Sequence, residues 1–362
     1  MNAPAQAHAH ALSTLPKMTV DQARYDEMLQ KGFERFPKRK ENYLKLKQKP
    51  REVVLDTLPG VLYLEPMGRC NFQCPMCDLQ VIPSRRSGQM TFEQFKGIVD
   101  PLVNSVYEAK MPGVGEATLH RDIFDMIPYL ADHHIWLHMA TNGSLLDKKE
   151  AYRRLIDAGI GELTLSVDGA TADVFETVRP GAVFDRVTKN FKLVNDYCNK
   201  NGLLRTRSFT TVQKTMRHQF REIVEYAAAN GFRRHSFEFG LFDWGQEAMR
   251  ETIESLRDHA PLTADEGWEL VELGKKLGVE VSFLFLEHSL TLKNVCHFPF
   301  ERIFVGSTMQ IGPCTHIGYR GKDLGNGADV VGAWNGEIYR KFREDHLSGN
   351  IPPECRYCYK MN

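Results

Sequence analysis

From Val61 onward, short apolar runs of strand length alternate with amphipathic stretches of helix length. The run at 61–65 (Val-Leu-Tyr-Leu-Glu) predicts a first strand. Others are predicted near 105–111, 135–140, 162–167, 205–212 and 235–239, with helices between them. Thr91 and Gln94 form a capping box that opens the first of these helices. Val187, Phe191, Val194 and Cys198 recur at helical spacing, which puts the Cys198 thiol on a core-facing stripe. Six strand–helix units in this order predict parallel strands with right-handed crossovers, an α/β fold.

The flanks read differently. Residues 1 to about 17 are rich in Ala, His, Gln and Pro and predict disorder, and 20–48 predict one or two charged helices. A second region begins near residue 246. Thr263-Ala-Asp-Glu266 is another capping box, opening a helix to about Gly278, and 279–286 is an apolar, strand-like run. A hairpin is predicted over 301–313, turning near Ser307-Thr308, and a last helix over 335–347 precedes Pro352-Pro353. The expected organisation is an extension at 1–50, a core domain at 51–245 and a small α+β domain at 246–362.

Composition narrows the partners. The 362 residues carry 46 Lys plus Arg against 46 Asp plus Glu, so no charge excess draws the chain to nucleic acid or an anionic membrane. Lys38-Arg39-Lys40 reads as a solvated helix face. No stretch of about 18 apolar residues exists to span a bilayer. The N-terminus lacks the apolar segment of a secretory signal, so a reducing cytoplasm is expected for the eight cysteines.

Chemistry concentrates just after the first strand, at Cys70-Asn-Phe-Gln-Cys74-Pro-Met-Cys77. Three thiolates hold three corners of a 4Fe–4S cube and leave one iron for a small chelating molecule. A zinc knuckle or a disulfide set are the alternatives, but zinc ligands usually come as two C-x2-C couples. The C-x3-C-x2-C spacing resembles the signature of radical S-adenosylmethionine (SAM) enzymes. That resemblance implies a partial (β/α)6 barrel, open on one side, with active groups at the C-terminal strand ends. It also implies SAM on the open iron.

Further motifs follow in order. Gly115-Glu116 is similar to the family's Gly-Gly-Glu-Pro, although Val114 interrupts the glycines and Ala117 replaces the proline. Thr141-Asn142-Gly143 resembles T-N-G, Ser166-Val-Asp168-Gly169 resembles S-x-D-G, and Arg179-Pro-Gly181 with Phe184-Asp185 resembles R-x-G…F-D. The resemblance implies that Glu116 receives the SAM ammonium, Ser166 meets its polar groups, Arg179 its carboxylate, and Met76 lies beside adenine. Taken singly, these are also ordinary turn and cap sequences. Glu65 and Glu238 end strands among apolar neighbours, so each is either a ligand contact or a satisfied structural ion.

Cys296, Cys314, Cys355 and Cys358 form a second set. Four thiolates suit structural zinc. The surroundings, Cys296-His297-Phe-Pro, Gly312-Pro-Cys314, Leu324-Gly-Asn326, Trp334-Asn-Gly336 and the terminal C-x2-C, resemble the twitch domain, a short form of the SPASM domain. This implies one auxiliary 4Fe–4S cluster in addition to the SAM-binding one. Its complete ligand set leaves electron transfer as its role. The resulting expectation is a radical dehydrogenase that oxidises an alcohol of a sugar or aminocyclitol, with Glu65, His297 or His316 as proton acceptor and flavodoxin or ferredoxin as reductant. Radical modification of a ribosomal peptide and a non-catalytic iron–sulfur carrier are the alternatives.

Overall fold

Each of the six apolar runs becomes a strand: β1 (Val61–Leu64), β2 (Glu108–Met111), β3 (Trp136–Thr141), β4 (Glu162–Ser166), β5 (Thr206–Thr211) and β6 (Arg234–Phe239). Three more follow, β7 (Glu280–Phe285), β8 (Arg302–Val305) and β9 (Ile311–Gly312). The computed structural model describes residues 12–49, 51–80, 88–112, 115–243, 247–260, 262–285, 290–315 and 323–359. Among these residues the strands form one sheet in the order β7-β6-β5-β4-β3-β2-β1-β8-β9. All neighbouring pairs from β7 to β8 are parallel, and only β8 and β9 are antiparallel.

The helices form for reasons visible in the sequence. Both capping boxes are made: the Gln94 amide donates to Thr91 Oγ1 at 3.1 Å, and Glu266 N to Thr263 Oγ1 at 3.2 Å. The helix Ala264–Leu277 stops at Gly278, whose φ of +76° only glycine adopts freely. Phe184–Lys200 buries Val187, Phe191, Val194 and Cys198 against the core. No helix among the described residues is long and apolar enough to cross a membrane.

The run at 279–286 and the hairpin at 301–313 form as β7 and as β8 with β9, and both join the core sheet: β7 pairs with β6, and β8 pairs with β1 from Val61↔Arg302 to Leu64↔Val305. An uncovered β1 edge would expose unpaired amides beside the cysteine loop, and β8 covers it. Two other expectations are corrected. Residues 12–17 are not disordered, since Leu12 and Leu15 are buried and Phe283 N donates to Pro16 O at 2.8 Å. Arg39 is fully buried, its guanidinium donating to the carbonyls of Val103, His133 and His134 at 2.6–3.1 Å; Lys38 and Lys40 are exposed.

The interior of the sheet is polar at its N-terminal end. Glu162 takes Arg207 at 3.0 Å and Arg234 at 2.7 Å, so both buried guanidinium groups are paired. Arg24, from the helix Gln22–Arg35, donates to the carbonyls of Gly159, Ile160 and Gly161 and closes that end. Accessibility alternates along the middle strands. Glu108, Lys110, His138, Ala140, Phe209 and Thr211 keep partial access, while their sequence neighbours within the strands are buried. With a period of two, these side chains share the inner face of the sheet, which therefore keeps partial access. The C-terminal segment is tied on by Trp334 Nε1 to Thr57 O at 2.7 Å and Tyr339 Oη to Arg302 O at 3.0 Å.

Candidate active site

The Cys70–Cys77 loop leaves the C-terminal end of β1 and is clamped by the end of β3 and by the turn that follows the helix Ala172–Val178. Asn142, just past β3, donates from Nδ2 to Asn71 Oδ1 at 2.9 Å, and that nitrogen lies 3.8 Å from Cys70 Sγ. Asn71 donates to Ser144 Oγ at 2.9 Å, and Gln73 N donates to Pro180 O at 2.8 Å. Thr141-Asn142-Gly143 and the turn at 179–181 therefore hold the thiol loop from both sides.

Gly115 permits the close approach of two chain segments: a Cβ there would lie 1.6 Å from Met67 O. Its neighbour Glu116 donates its amide to Arg69 O at 2.8 Å. The buried Glu116 carboxylate accepts from Thr141 Oγ1 at 2.7 Å, from Asn142 N at 2.8 Å and from both donors of Thr118. It thus links the ends of β2 and β3.

Asp168, fully buried after β4, accepts from Arg179 Nε at 2.7 Å and Nη2 at 2.5 Å, and from Thr211 N at 2.8 Å. Arg179 Nη1 points to Cys74 Sγ at 4.0 Å. Burial opposes the charge on Arg179, but Asp168 and the Cys74 thiol outweigh it and keep the guanidinium protonated. Ser166 ends β4 half-buried. Met76 packs on an apolar cluster of Leu241, Met249 and Ile253.

Glu238, at the end of β6, accepts from Thr211 Oγ1 at 3.2 Å, and burial pushes its carboxyl up to about 7. The folded state holds that proton between the ordinary carboxyl value of 4.5 and about 7, while the unfolded chain releases it. This contribution is present at low pH and is lost as pH rises through that window. Glu238→Gln is expected to remove it, so urea titrations from pH 4.5 to 7.5 should show the variant gaining on the parent as pH rises.

The second cysteine set lies at the other end of the strands. Cys296 precedes β8, which runs parallel to β1, and Cys314 follows the antiparallel β9. Glu301 O accepts from Gly60 N at 2.9 Å, level with the start of β1. Burial pushes the Cys296 thiol up to about 12, with Cys314 and Cys358 adding to the rise. Cys355, raised well above its ordinary value, feels Cys314, Cys296 and Cys358. All four thiols therefore share one locality. Tyr359 Oη accepts from Cys296 N at 2.7 Å.

The expected proton acceptors fall in different places. His297 Nε2 is 3.3 Å from Glu301 Oε1 and 3.3 Å from Arg302 Nη2. Glu65, buried past the end of β1, accepts from Ser307 Oγ at 3.2 Å. His316 lies outside the described residues, as do Gly113 and Val114. Sequence reasoning passed over Lys110 and His138, which lie on the inner face of the sheet. Each is a lone ionisable residue inside a short strand, which was the available signal.

The donor chemistry of both sets fits iron–sulfur groups. Burial and the Glu116 carboxylate push Cys70 up to about 11, and burial raises Cys74, so these thiols ionise together only where a metal supplies positive charge.

A family model described as the radical SAM superfamily matches residues 64–256, which include the thiol loop and every strand-end motif above. This chain belongs to the radical SAM superfamily. Radical SAM enzymes use SAM and a 4Fe–4S cluster. The chain is 27% identical to the AdoMet-dependent heme synthase of Methanosarcina barkeri over 329 residues, 84% of this chain and 90% of that protein. It is 30% identical to the mycofactocin maturase MftC of Mycobacterium tuberculosis over 120 residues, 33% of this chain and 30% of that protein. Streptococcus suis SuiB bound to its precursor peptide SuiA superposes with a TM-score of 0.63 at 16% identity, covering 84% of this chain and 70% of that one. At that identity the likeness shows the radical SAM fold alone.

Proposed function

We propose that this radical SAM enzyme takes hydrogen from a substrate held in the barrel chamber and then oxidises it by one further electron. The observation that carries this reading is the placement of two thiol sets at opposite ends of β1 and β8, with partly accessible inner-face side chains on the neighbouring strands between those ends. Cys70, Cys74 and Cys77 would hold the 4Fe–4S cluster, which together with SAM would supply the radical chemistry needed to attack an unactivated C–H bond. The chain's own residues do the rest. Met76, Gly115, Thr141, Asn142, Ser166 and Glu238 border the space at the strand ends where SAM would sit. Glu116 and Arg179 have their polar atoms on Thr141, Asn142 and Asp168, and act as positioning residues.

A carbinol carbon that has lost its hydrogen atom becomes a ketone by losing the hydroxyl proton and one electron. Glu65 or His297 accepts the proton. Cys296, Cys314, Cys355 and Cys358 would hold a twitch-like auxiliary cluster, which would supply an acceptor for that electron. The substrate is then a small hydroxylated metabolite such as a sugar or aminocyclitol, and flavodoxin or ferredoxin supplies the first electron. Likeness to a heme synthase over most of both chains supports a non-peptide substrate. The shorter matches to mycofactocin maturase and PqqA peptide cyclase support a second reading, radical modification of a ribosomal peptide.

Anaerobically reconstituted protein, reduced and mixed with SAM, is expected to form 5′-deoxyadenosine. With an aminocyclitol it should form ketone and 5′-deoxyadenosine one for one. Cys355→Ala with Cys358→Ala should cost ketone formation far more than SAM cleavage. Zinc in the C-terminal site would overturn the electron-acceptor role. Turnover only with a precursor peptide would favour the second reading, and SAM left intact would leave a non-catalytic iron–sulfur carrier.

A further inference from the structure

We infer that Lys110 and His138 form an anchor for a carboxylate group of the substrate inside the barrel. The two residues are direct register partners on β2 and β3, and Lys110 is also opposite Tyr63 on β1. Lys110 is deeply surrounded by protein, yet 28% of its side chain is accessible, and His138 likewise keeps 25%. A group enclosed on most sides and still accessible borders an internal space. Both therefore lie on the inner face and not the outer, helix-covered face of the sheet.

Their hydrogen-bonding capacity is only partly used. Lys110 Nζ carries three donors, and Glu108 Oε1 at 3.0 Å takes one of them. Nζ also lies 6.0 Å from the Tyr63 ring centroid, so the cation is held over an aromatic face. His138 Nε2 meets Thr164 Oγ1 at 2.7 Å, and no described residue bonds to Nδ1. Burial pushes His138 down to about 4, so the ring is neutral, with Nδ1 free to donate when Nε2 accepts from Thr164.

The charge balance selects the ligand. Lys110, Arg207, Arg234 and Arg302 are four cations on the inner face of the strands; Glu108 pairs with Lys110, Glu301 with Arg302, and Glu162 with the other two arginines. Glu162 is already committed to both arginines, and lies 4.0 Å from His138. Asp21 and Glu280 also act on Arg234, but Glu280, its register partner, is exposed to solvent, and Glu65 and Glu238 lie at the opposite, C-terminal strand ends. At the N-terminal end of the inner face, then, the paired groups leave one positive charge over. In a low-dielectric enclosure that surplus favours an anion. Ammonium and imidazole N–H side by side match the two oxygens of a carboxylate. The inference rests on the reading above that the substrate binds in the chamber, and it narrows that substrate to a hydroxylated acid, since Lys110 would repel the ammonium of an aminocyclitol.

Glutarate and the neutral polyol myo-inositol serve as probes of the reconstituted enzyme, with binding followed by calorimetry in the presence of SAM. Glutarate should bind saturably, Lys110→Met should weaken it at least tenfold, and Lys110→Arg should recover most of the loss. SAM affinity, which neither residue contacts, should be unchanged in both variants and reports that the fold is kept. If Lys110→Met loses SAM binding as well, His138→Asn carries the same comparison. No glutarate binding by the parent, or equal binding by the variants, overturns the anchor, as does myo-inositol binding that is stronger than that of glutarate. Glutarate binding without any polyol oxidation would keep the anchor and discard the alcohol reading. Polyol oxidation with no response to Lys110→Met would do the reverse.

Discussion

Alanine at Cys70, Cys74 or Cys77 is expected to lower 5′-deoxyadenosine formation by more than about a hundredfold, because losing a ligand exceeds the cost of losing a partner behind it. Among the described residues, Asn71 and Asn142 beside Cys70 are committed to each other and to Ser144 and offer no substitute ligand. Iron content and the absorbance of the reconstituted cluster should fall together with activity, whereas the four C-terminal thiols should keep their own iron. SAM cleavage that survives intact in any of the three variants would remove the loop from the reaction.

Arg179→Met is expected to have the largest effect on stability. It strips the cation from Asp168, which is fully buried, and from the neighbourhood of Cys74. Breaking a buried pair by removing one partner costs about 3–5 kcal/mol, since the other charge stays behind without compensation. Asp168 would keep only the Thr211 amide, and protonation would relieve it in part. The loss should therefore be larger at pH 8 than at pH 5 in denaturant titrations. Adding Asp168→Asn to Arg179→Met should restore part of the stability without restoring the brace on the thiol loop. A single-variant loss below about 1 kcal/mol would mean the pair is solvated in a way its geometry does not suggest.

The core strands were legible because each is a short apolar run between turn residues, and every one of the six appears within a few positions of its expected place. Both capping boxes were equally plain, being local. What escaped were matters of distant partnership. Nothing local in 279–286 or 301–313 says which strand they will join, so β7 and β8 read as pieces of a later domain. Arg39 looked solvated because it sits between two lysines, and its carbonyl partners are 64 to 95 residues away. The cysteine spacing announced the site at once. The motifs singled out Glu116 and Arg179, but their partners, Thr141, Asn142 and Asp168, emerge only when strand ends converge. Lys110 and His138 belong to no motif and matter only because a curved sheet turns them inward.

The seating of β1 between β2 and β8 has a consequence for biogenesis. Leu64 and Arg302 lie 238 positions apart, so at ribosomal speed β1 waits roughly 10–50 s for its second neighbour to be synthesised. Throughout that interval the thiol loop hangs from a half-finished edge, reachable by a scaffold that delivers iron and equally by oxygen. Once β8 zips on, access narrows, which ties the timing of metal insertion to translation itself.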